Sequence, residues 1–501
     1  MKINDIKLPI EAQQDKLIFE VQKKAPKEDL SKMVITRKSL DARRGRPFSF
    51  VYSVDTKPED IPEPHVTRKY KHRPIVVGFG PAGMFCALVL ARAGLKPIVL
   101  ERGADTDTRV KAVESFWQGG SLNTKTNVQF GEGGAGTFSD GKLTTLVRDK
   151  EGLSRFVLSE LVKAGAPEEI MYSWRPHVGT DRLRKVVKTI REEIIFLGGE
   201  VHFNTCLTAI ETEEGKVTGC FAGDKHFTAE RIFLCLGHSA RDTFAMLKDM
   251  GVVMERKAFS VGVRIEHLQS EIDKAQYREY AGSPYLGAAD YKLSVTGQGK
   301  RGVYTFCMCP GGYVVAATSE EGGVVTNGMS NYARDSKNAN SALLVSVVPE
   351  DFTGQDILAG VEFQRKLEKA AFNLGGGDYK APTQMAGDFL QGKMSTDLGR
   401  VKPSYKPGVT LTDLNLLLPS FVSDAMKEAL PEMGKKLAGF DCYDAVMTGI
   451  ESRSSSPVRI VRDPDTFESV SVKGLCPVGE GAGYAGGIMS AAMDGVKAAL
   501  K

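Results

Sequence analysis

The sequence predicts an α/β protein: a parallel-sheet domain interrupted by a β-rich region and preceded by a small α+β unit. Three observations predict it. A short apolar strand, a glycine turn, a helix, a second strand and an acid follow one another without a break from Arg73 to Gly103. From about Phe259 to Thr448 the composition shifts to β-like runs and longer loops. The chain then ends on a strand, another glycine-rich turn and one helix, with no second strand to complete a unit. The expected divisions are 1–70, 71–258, 259–448 and 449–501, the last returning to the parallel-sheet domain.

A chain of 501 residues exceeds what one core usually holds, so two or three domains are expected. Hydrophobic content of 42% and charged content of 26% describe an ordinary globular protein. Its 66 basic and 62 acidic residues leave a net charge of +4, too balanced to argue for a nucleic-acid or membrane partner in general. The start, MKINDIKLPIEAQQDK, lacks the apolar segment of a signal peptide, and no run approaches the roughly 18 apolar residues of a membrane span. A cytoplasmic location without membrane contact is therefore expected.

Residues 1–70 read as a separate α+β unit of ferredoxin-like type. Gln13 to Lys24 is helix-like, and Met33 to Thr36 and Phe48 to Val54 are strand-like. A basic cluster lies between the strands: Arg37, Lys38, Arg43, Arg44 and Arg46. It reads as a solvated hairpin rim, with an RNA- or phosphate-contacting patch over 37–46 as the sharper alternative. Lys57 to Lys71, rich in Pro and charge, reads as a linker.

Ile75, Val76 and Val77 suit a buried parallel strand. In the turn Gly78-Phe79-Gly80-Pro81-Ala82-Gly83, the first glycine permits the tight bend and the second lets backbone approach a pyrophosphate. The third lets the helix from Met84 to Arg92 pack on the strand. The strand Pro97 to Leu100 delivers Glu101, 18 residues after Gly83, where an acceptor for ribose hydroxyls is expected, with Arg102 beside it. This Rossmann-like unit points to an adenine-dinucleotide site. GxGxxG recurs at Gly131–Gly136, Gly297–Gly302 and Gly481–Gly486 without a following strand and acid, and the second of these suits a hairpin tip. A second nucleotide domain is not indicated.

The glycines of Asn127 to Thr145 suggest backbone that approaches a ligand closely, with Gly133, Gly134, Ala135, Gly136 and Thr137 offering N–H donors. Ser139, Asp140 and Lys142 add side chains there. The alternative is a mobile surface loop. Beyond it, Leu183, Val186, Val187, Ile190 and Ile194 form one buried helical stripe. Strands then run to Leu236 and end at Gly237-His238, at the edge where an open α/β sheet meets its ligand.

In the β-rich region, alternation over Val261 to His267 suits a half-buried strand with Arg264 and Glu266 on one face. A helix with Ala359, Phe363, Leu367, Ala370 and Leu374 on its inner side ends at Gly375-Gly376-Gly377. Eight cysteines are scattered, most in apolar patterns that read as core. Cys307 and Cys309 stand closer than a CxxC pair and would share a strand face. Packing is the reading there, redox or metal use the alternative, and no metal site is expected.

The tail Gly474 to Gly487 reads as a strand that rejoins the first sheet. Gly479 and Glu480 end that strand, with Glu480 accepting from ribityl hydroxyls. Gly486 and Gly487 then open a final helix whose N-terminus faces a flavin ring.

These motifs together resemble a bacterial family of FAD-dependent dehydrogenases within the glutathione-reductase-like FAD/NAD(P)-binding superfamily. The resemblance rests on VVGFGPAG, FGEGGAGTFSDGKL, PHVGTDRLR, GHSARDTF, VGVRIEH, FCMCPGG, TNGMS, ESRSSSPVR and PVGEGAGYAGGIMSAAMDG, and covers nearly the whole chain. It implies FAD at Gly78, Gly80, Gly83 and Glu101, with adenine near Leu207. Ribityl and ring contacts are implied for Glu480, Gly487, Ile488 and Met489. The CxxxxC of the disulfide reductases is absent after the first unit, which argues against disulfide reduction.

The leading expectation is an oxidoreductase passing hydride between a small organic substrate and FAD, served by a separate electron donor or acceptor. Acid–base candidates are His238, His267 and Glu266. Arg264, Arg453 and Arg459 are candidates to clamp a carboxylate or phosphate. The alternatives are a flavoprotein acting on RNA through residues 37–46 and a non-catalytic flavin-binding interaction protein.

Overall fold

The computed structural model describes residues 1–501 other than Gln298 and Lys300. At the N-terminus, strands Lys2–Pro9, Val34–Asp41 and Ser49–Asp55 form an antiparallel sheet in the order first, third, second. Helix Gln14–Lys24 covers it with Leu17 and Val21. The second helix and fourth strand of a ferredoxin-like βαββαβ pattern do not form, because 56–74 runs on without regular structure. The first strand was invisible to period-two reading because a bulge between Ile3 and Ile6, with Asp5 at φ 57°, breaks the alternation.

This unit packs against the rest of the chain. Phe48 stacks on Tyr280 at 4.3 Å, and Lys38 exchanges backbone hydrogen bonds with Tyr172 and Trp174. The basic cluster is accordingly divided. Lys38 lies 4.1 Å over the Phe50 ring, while Arg43 is held by both oxygens of Asp41 at 2.7 and 2.6 Å.

The second body is a five-stranded parallel sheet in the order Leu475–Pro477, Ile232–Leu234, Ile75–Val77, Ile98–Leu100, Glu200–His202. Period-two alternation assigns its faces. Val76, Val99, Phe233 and Cys476 meet helices Pro81–Arg92, Thr180–Phe196 and Ile488–Leu500. Ile75, Val77, Leu100, Ile232 and Leu234 meet helix Arg241–Asp249 and a small antiparallel sheet spanning 209–228. Helix Thr180–Phe196 buries the stripe its spacing predicts.

The third body is a seven-stranded sheet in the order Ser294–Thr296, Gly302–Cys309, Asn338–Val347, Phe259–Leu268, Val446–Glu451, Ala381–Met385, Val409–Leu411. The first two strands pair as a hairpin, but at its tip Gln298 and Lys300 lie outside the described residues. Phe259–Leu268 is central and buried on both faces, not half-buried as its alternation suggests. Its polar residues point into partners instead of water.

Helix Ala359–Gly375 shows the same effect. The expected stripe packs on the core, with Ala359 and Leu367 buried and Phe363, Ala370 and Leu374 partly so, but the buried face extends to Gln364, Glu368 and Ala371. Two buried arginines need the Glu368 carboxylate, and that need extends the face.

Candidate functional site

A cleft of about 980 Å³ runs from the carboxyl edge of the parallel sheet to the wall of the seven-stranded sheet. Gly78, Gly80, Pro81 and Ala82 form one end at the N-terminus of helix Pro81–Arg92. Gly78 has φ 96°, a conformation other residues rarely adopt. Gly83 lies outside the cleft, where a Cβ would collide with the Gly78 carbonyl, so its part is close packing of helix on strand.

Glu101 stands at the end of its strand and lines the cleft. Its carboxylate accepts from the N–H groups of Phe79 at 2.8 Å, Gly103 at 2.9 Å and Gly131 at 3.0 Å. A carboxylate has about four lone-pair sites, so one is left for a ribose hydroxyl. Arg102 lines the cleft too, paired with Asp242 and lying 4.4 Å over Phe130. Leu207 and Gly237 complete this end.

The glycine-rich run is largely buried, not a mobile surface loop. Gly134, Ala135, Gly136 and Ser139 reach the cleft. Gly133 and Thr137 lie behind it: the Gly133 N–H donates to Phe79 O, and Thr137 Oγ1 donates to Glu132 O. Sequence reading missed what holds this run in shape. Arg109, fully buried, donates to the carbonyls of Asn127, Val128, Gly131 and Glu132 at 2.7–3.2 Å. A lone arginine on a helix gives no sequence signal for such a task.

From the returning segment, Glu480, Gly486, Gly487 and Ile488 line the cleft. Gly479 and Met489 sit beneath; the Gly479 N–H donates to Asp494 at 2.7 Å, and Met489 is core. Burial pushes the Glu480 carboxyl up to about 7, with Cys307 adding to the shift and Lys257 opposing it.

The acid–base and clamp candidates fare differently. His238 lines the cleft with Nδ1 3.0 Å from Ser239 Oγ. Burial, then the charges of Arg453 and Arg241, push its imidazole down to about 3, so it is neutral at ordinary pH. His267 does not reach the cleft: it is buried, and its Nε2 donates to Phe440 O at 2.7 Å. Glu266 is also remote from it, bound by Ser404 and Asn338.

Arg264 cannot clamp a ligand, because all five of its N–H donors are engaged: by Glu451 twice, and by Cys307 O, Asn340 and Asn327. Arg453 lines the cleft but is held by Glu368, Ser239 and Ser319. Arg459 does not line it and packs on Tyr484 instead. At the far end, Trp174, Tyr291, Lys292 and Phe306 form a wall that local pattern did not reveal. No group of three or more metal-ligating side chains occurs among the described residues.

A parallel sheet with a glycine turn at a helix N-terminus, and an acid on the next strand, defines the dinucleotide-binding class of α/β proteins. The chain belongs to one family with an uncharacterized protein of Clostridium beijerinckii, being 50% identical over 523 residues that span 100% of this chain and 98% of that one. Residues 258–454 match the family described as FAD-dependent protein, C-terminal domain-like, and residues 1–57 match a domain of unknown function (DUF8436).

Similar solved structures include glycine oxidase from Bacillus cereus, at 11% identity over 86% of this chain and 94% of that one, TM-score 0.37. The flavin-dependent brominase Bmp2 has 11% identity over 86% and 77%, TM-score 0.39. A flavoprotein/dehydrogenase from Cytophaga hutchinsonii has 11% identity over 86% and 76%, TM-score 0.37.

The cofactor is FAD, and the residues present fit it. Gly237, Gly486 and Gly487 have no atom within 4 Å of where a Cβ would stand, so backbone there meets open cleft. A Cβ on Gly134 would lie 3.0 Å from Gly80 Cα, closing the gap between the two glycine turns. No helix among the described residues is long and apolar enough to cross a membrane.

Proposed function

We propose that the protein is an FAD-dependent oxidoreductase of the glutathione-reductase-like superfamily, passing hydride between a small organic substrate and FAD. The observation that carries the reading is the continuity of the cleft, from the Gly78–Ala82 turn past Glu480 to the aromatic wall of Trp174, Tyr291 and Phe306. Bound FAD supplies a two-electron acceptor and donor; the chain supplies position and charge. Glu101 takes a ribose hydroxyl, Glu480 takes ribityl hydroxyls, and helix Ile488–Leu500 aims its partly positive N-terminus at the pyrimidine side. The aromatic wall packs on the substrate and excludes water from the reacting end. His238, being neutral, orients the substrate by hydrogen bonding and does not act as a cationic acid.

The test is anaerobic exposure of the purified protein to a panel of reduced nicotinamides, amino acids and hydroxy acids. At least one is expected to bleach the flavin. Bleaching by none, with the flavin needed for folding, would favour a non-catalytic role.

FAD affinity is expected to rise with pH. Ribityl hydroxyls donate to the carboxylate form of Glu480, so binding favours ionisation, and affinity grows as pH climbs through 7. Glu480→Gln should remove that dependence and weaken binding by about tenfold or more at pH 8, since hydrogen bonds to charged groups contribute about 1.5–3 kcal/mol. Flavin fluorescence titrations at pH 6 and pH 8 measure both effects.

A further inference from the structure

Cys307 and Cys309 remain outside the cofactor site described above, although Cys307 lines the same cleft and Cys309 is buried directly behind it. The register between Gly302–Cys309 and Asn338–Val347 breaks here: Phe306 faces Ala342, Cys309 faces Asn340, and the two residues between oppose Ser341 alone. This bulge puts Cys307 at φ 43°, a left-handed conformation uncommon for any residue with a side chain. Cys309 Sγ donates to Cys307 O at 3.3 Å, which holds the second side chain against the first residue.

The surroundings favour a thiolate at the cleft side. The hydrogen bond from Cys309, followed by the charges of Arg264 and Lys142, holds the Cys307 thiol below its usual range against the effect of burial, while the Cys309 thiol is held above. Cys307 also lies within electrostatic reach of Glu480, on the segment assigned to the ribityl chain.

We propose that Cys307 and Cys309 are a dithiol–disulfide pair that exchanges two electrons with FAD bound in the cleft. The proposal rests on the FAD reading of that cleft. In the oxidising direction the S–H bond of Cys309 breaks and an Sγ–Sγ bond forms between the two residues. Two electrons and the released proton pass to FAD, so that the thiolate, thiol and oxidised FAD become the disulfide and the monoanion of reduced FAD. The reverse direction uses reduced FAD to cleave the bond. A disulfide closing so short a loop is strained, which raises its reduction potential and suits exchange better than a structural role.

The test is anaerobic dithionite titration of the aerobically purified holoprotein, joined to differential alkylation and mass spectrometry of the peptide carrying both cysteines. The wild type is expected to take up twice the reducing equivalents that its flavin alone requires, and its peptide to be alkylated only after reduction. Cys307→Ser and Cys309→Ser are each expected to need only the equivalents of the flavin. Should the buried Cys309 variant fail to fold, Cys307→Ser and the wild-type peptide decide. Equal uptake by wild type and variant, or a peptide fully alkylated before reduction, overturns the proposal. A protein that takes up no FAD refutes the cofactor reading instead, and alkylation with and without a disulfide oxidant such as oxidised glutathione still reports whether the bond forms.

Discussion

Glu368→Ala is expected to leave little folded protein. The Glu368 carboxylate is nearly inaccessible and accepts from Arg241 at 2.9 and 2.7 Å, from Arg453 at 3.0 and 2.8 Å, and from Ser452 at 2.7 Å. Two buried guanidinium groups thus share one anion. Without it two largely buried guanidinium groups keep only the partly exposed Glu320 as a counter-charge. Removing one member of a buried pair costs about 3–5 kcal/mol, and here two cations lose their shared anion at once, which rivals the whole stability of many domains. The three residues join the helix Ala359–Gly375, the start of helix Arg241–Asp249 and the segment just after strand Val446–Glu451, so the parallel-sheet body and the β-rich body should separate together. Urea unfolding followed by circular dichroism checks this. A loss below about 1 kcal/mol would show that the network relaxes and that the charges are not confined as their geometry indicates.

That network also marks the limit of what the sequence disclosed. The unit from Arg73 to Gly103 was legible because strand, turn, helix and acid are local, and Gly83 answers to Gly78 within the motif, although Gly78 and Gly80 meet Cys235 and Gly134 from outside it. The helix Thr180–Phe196 was legible because its inner face is purely apolar. Helix Ala359–Gly375 was read only in part: its apolar stripe packs on the core, but the burial of Glu368 was missed, since its partners Arg241 and Arg453 lie 127 and 85 positions away. Phe259–Leu268 was read as half-buried for the same reason. Arg264 and Glu266 suggest water until Glu451 and Ser404, 187 and 138 residues away, are placed beside them. The cleft's glycine side could be read from pattern, whereas the aromatic wall is assembled from two loops and the strand Gly302–Cys309, and the exposure of Cys307 follows from a bulge. Neither leaves a trace in periodicity.

Gly495→Val is expected to loosen FAD and the fold together. Gly495 faces helix Pro81–Arg92 across the closest approach of two helices: a Cβ there would collide with the Ala82 carbonyl oxygen and stand 3.0 Å from Ala82 Cα. Both neighbours are backbone, so no side chain can swing aside; one helix must retreat. Helix Ile488–Leu500 cannot slide freely, because Asp494 binds the Gly479 N–H at 2.7 Å and Arg462 at 2.9 and 2.6 Å. Overpacking of this kind costs about 1–3 kcal/mol. Any retreat separates the two helix N-termini that face the cleft, one at Gly80 and one at Gly487, which under the proposed function hold the cofactor from opposite ends of the chain. About tenfold weaker FAD binding corresponds to each 1.4 kcal/mol lost from that grip. Lys497→Val places the same side chain two positions on, at a site that touches no backbone so closely, and should change stability by no more than about 0.5 kcal/mol. Flavin titration and thermal unfolding of the two variants separate the outcomes. If Gly495→Val bound FAD as tightly as the wild type and melted at the same temperature, the returning helix would be a support for the sheet and not half of the cofactor's grip.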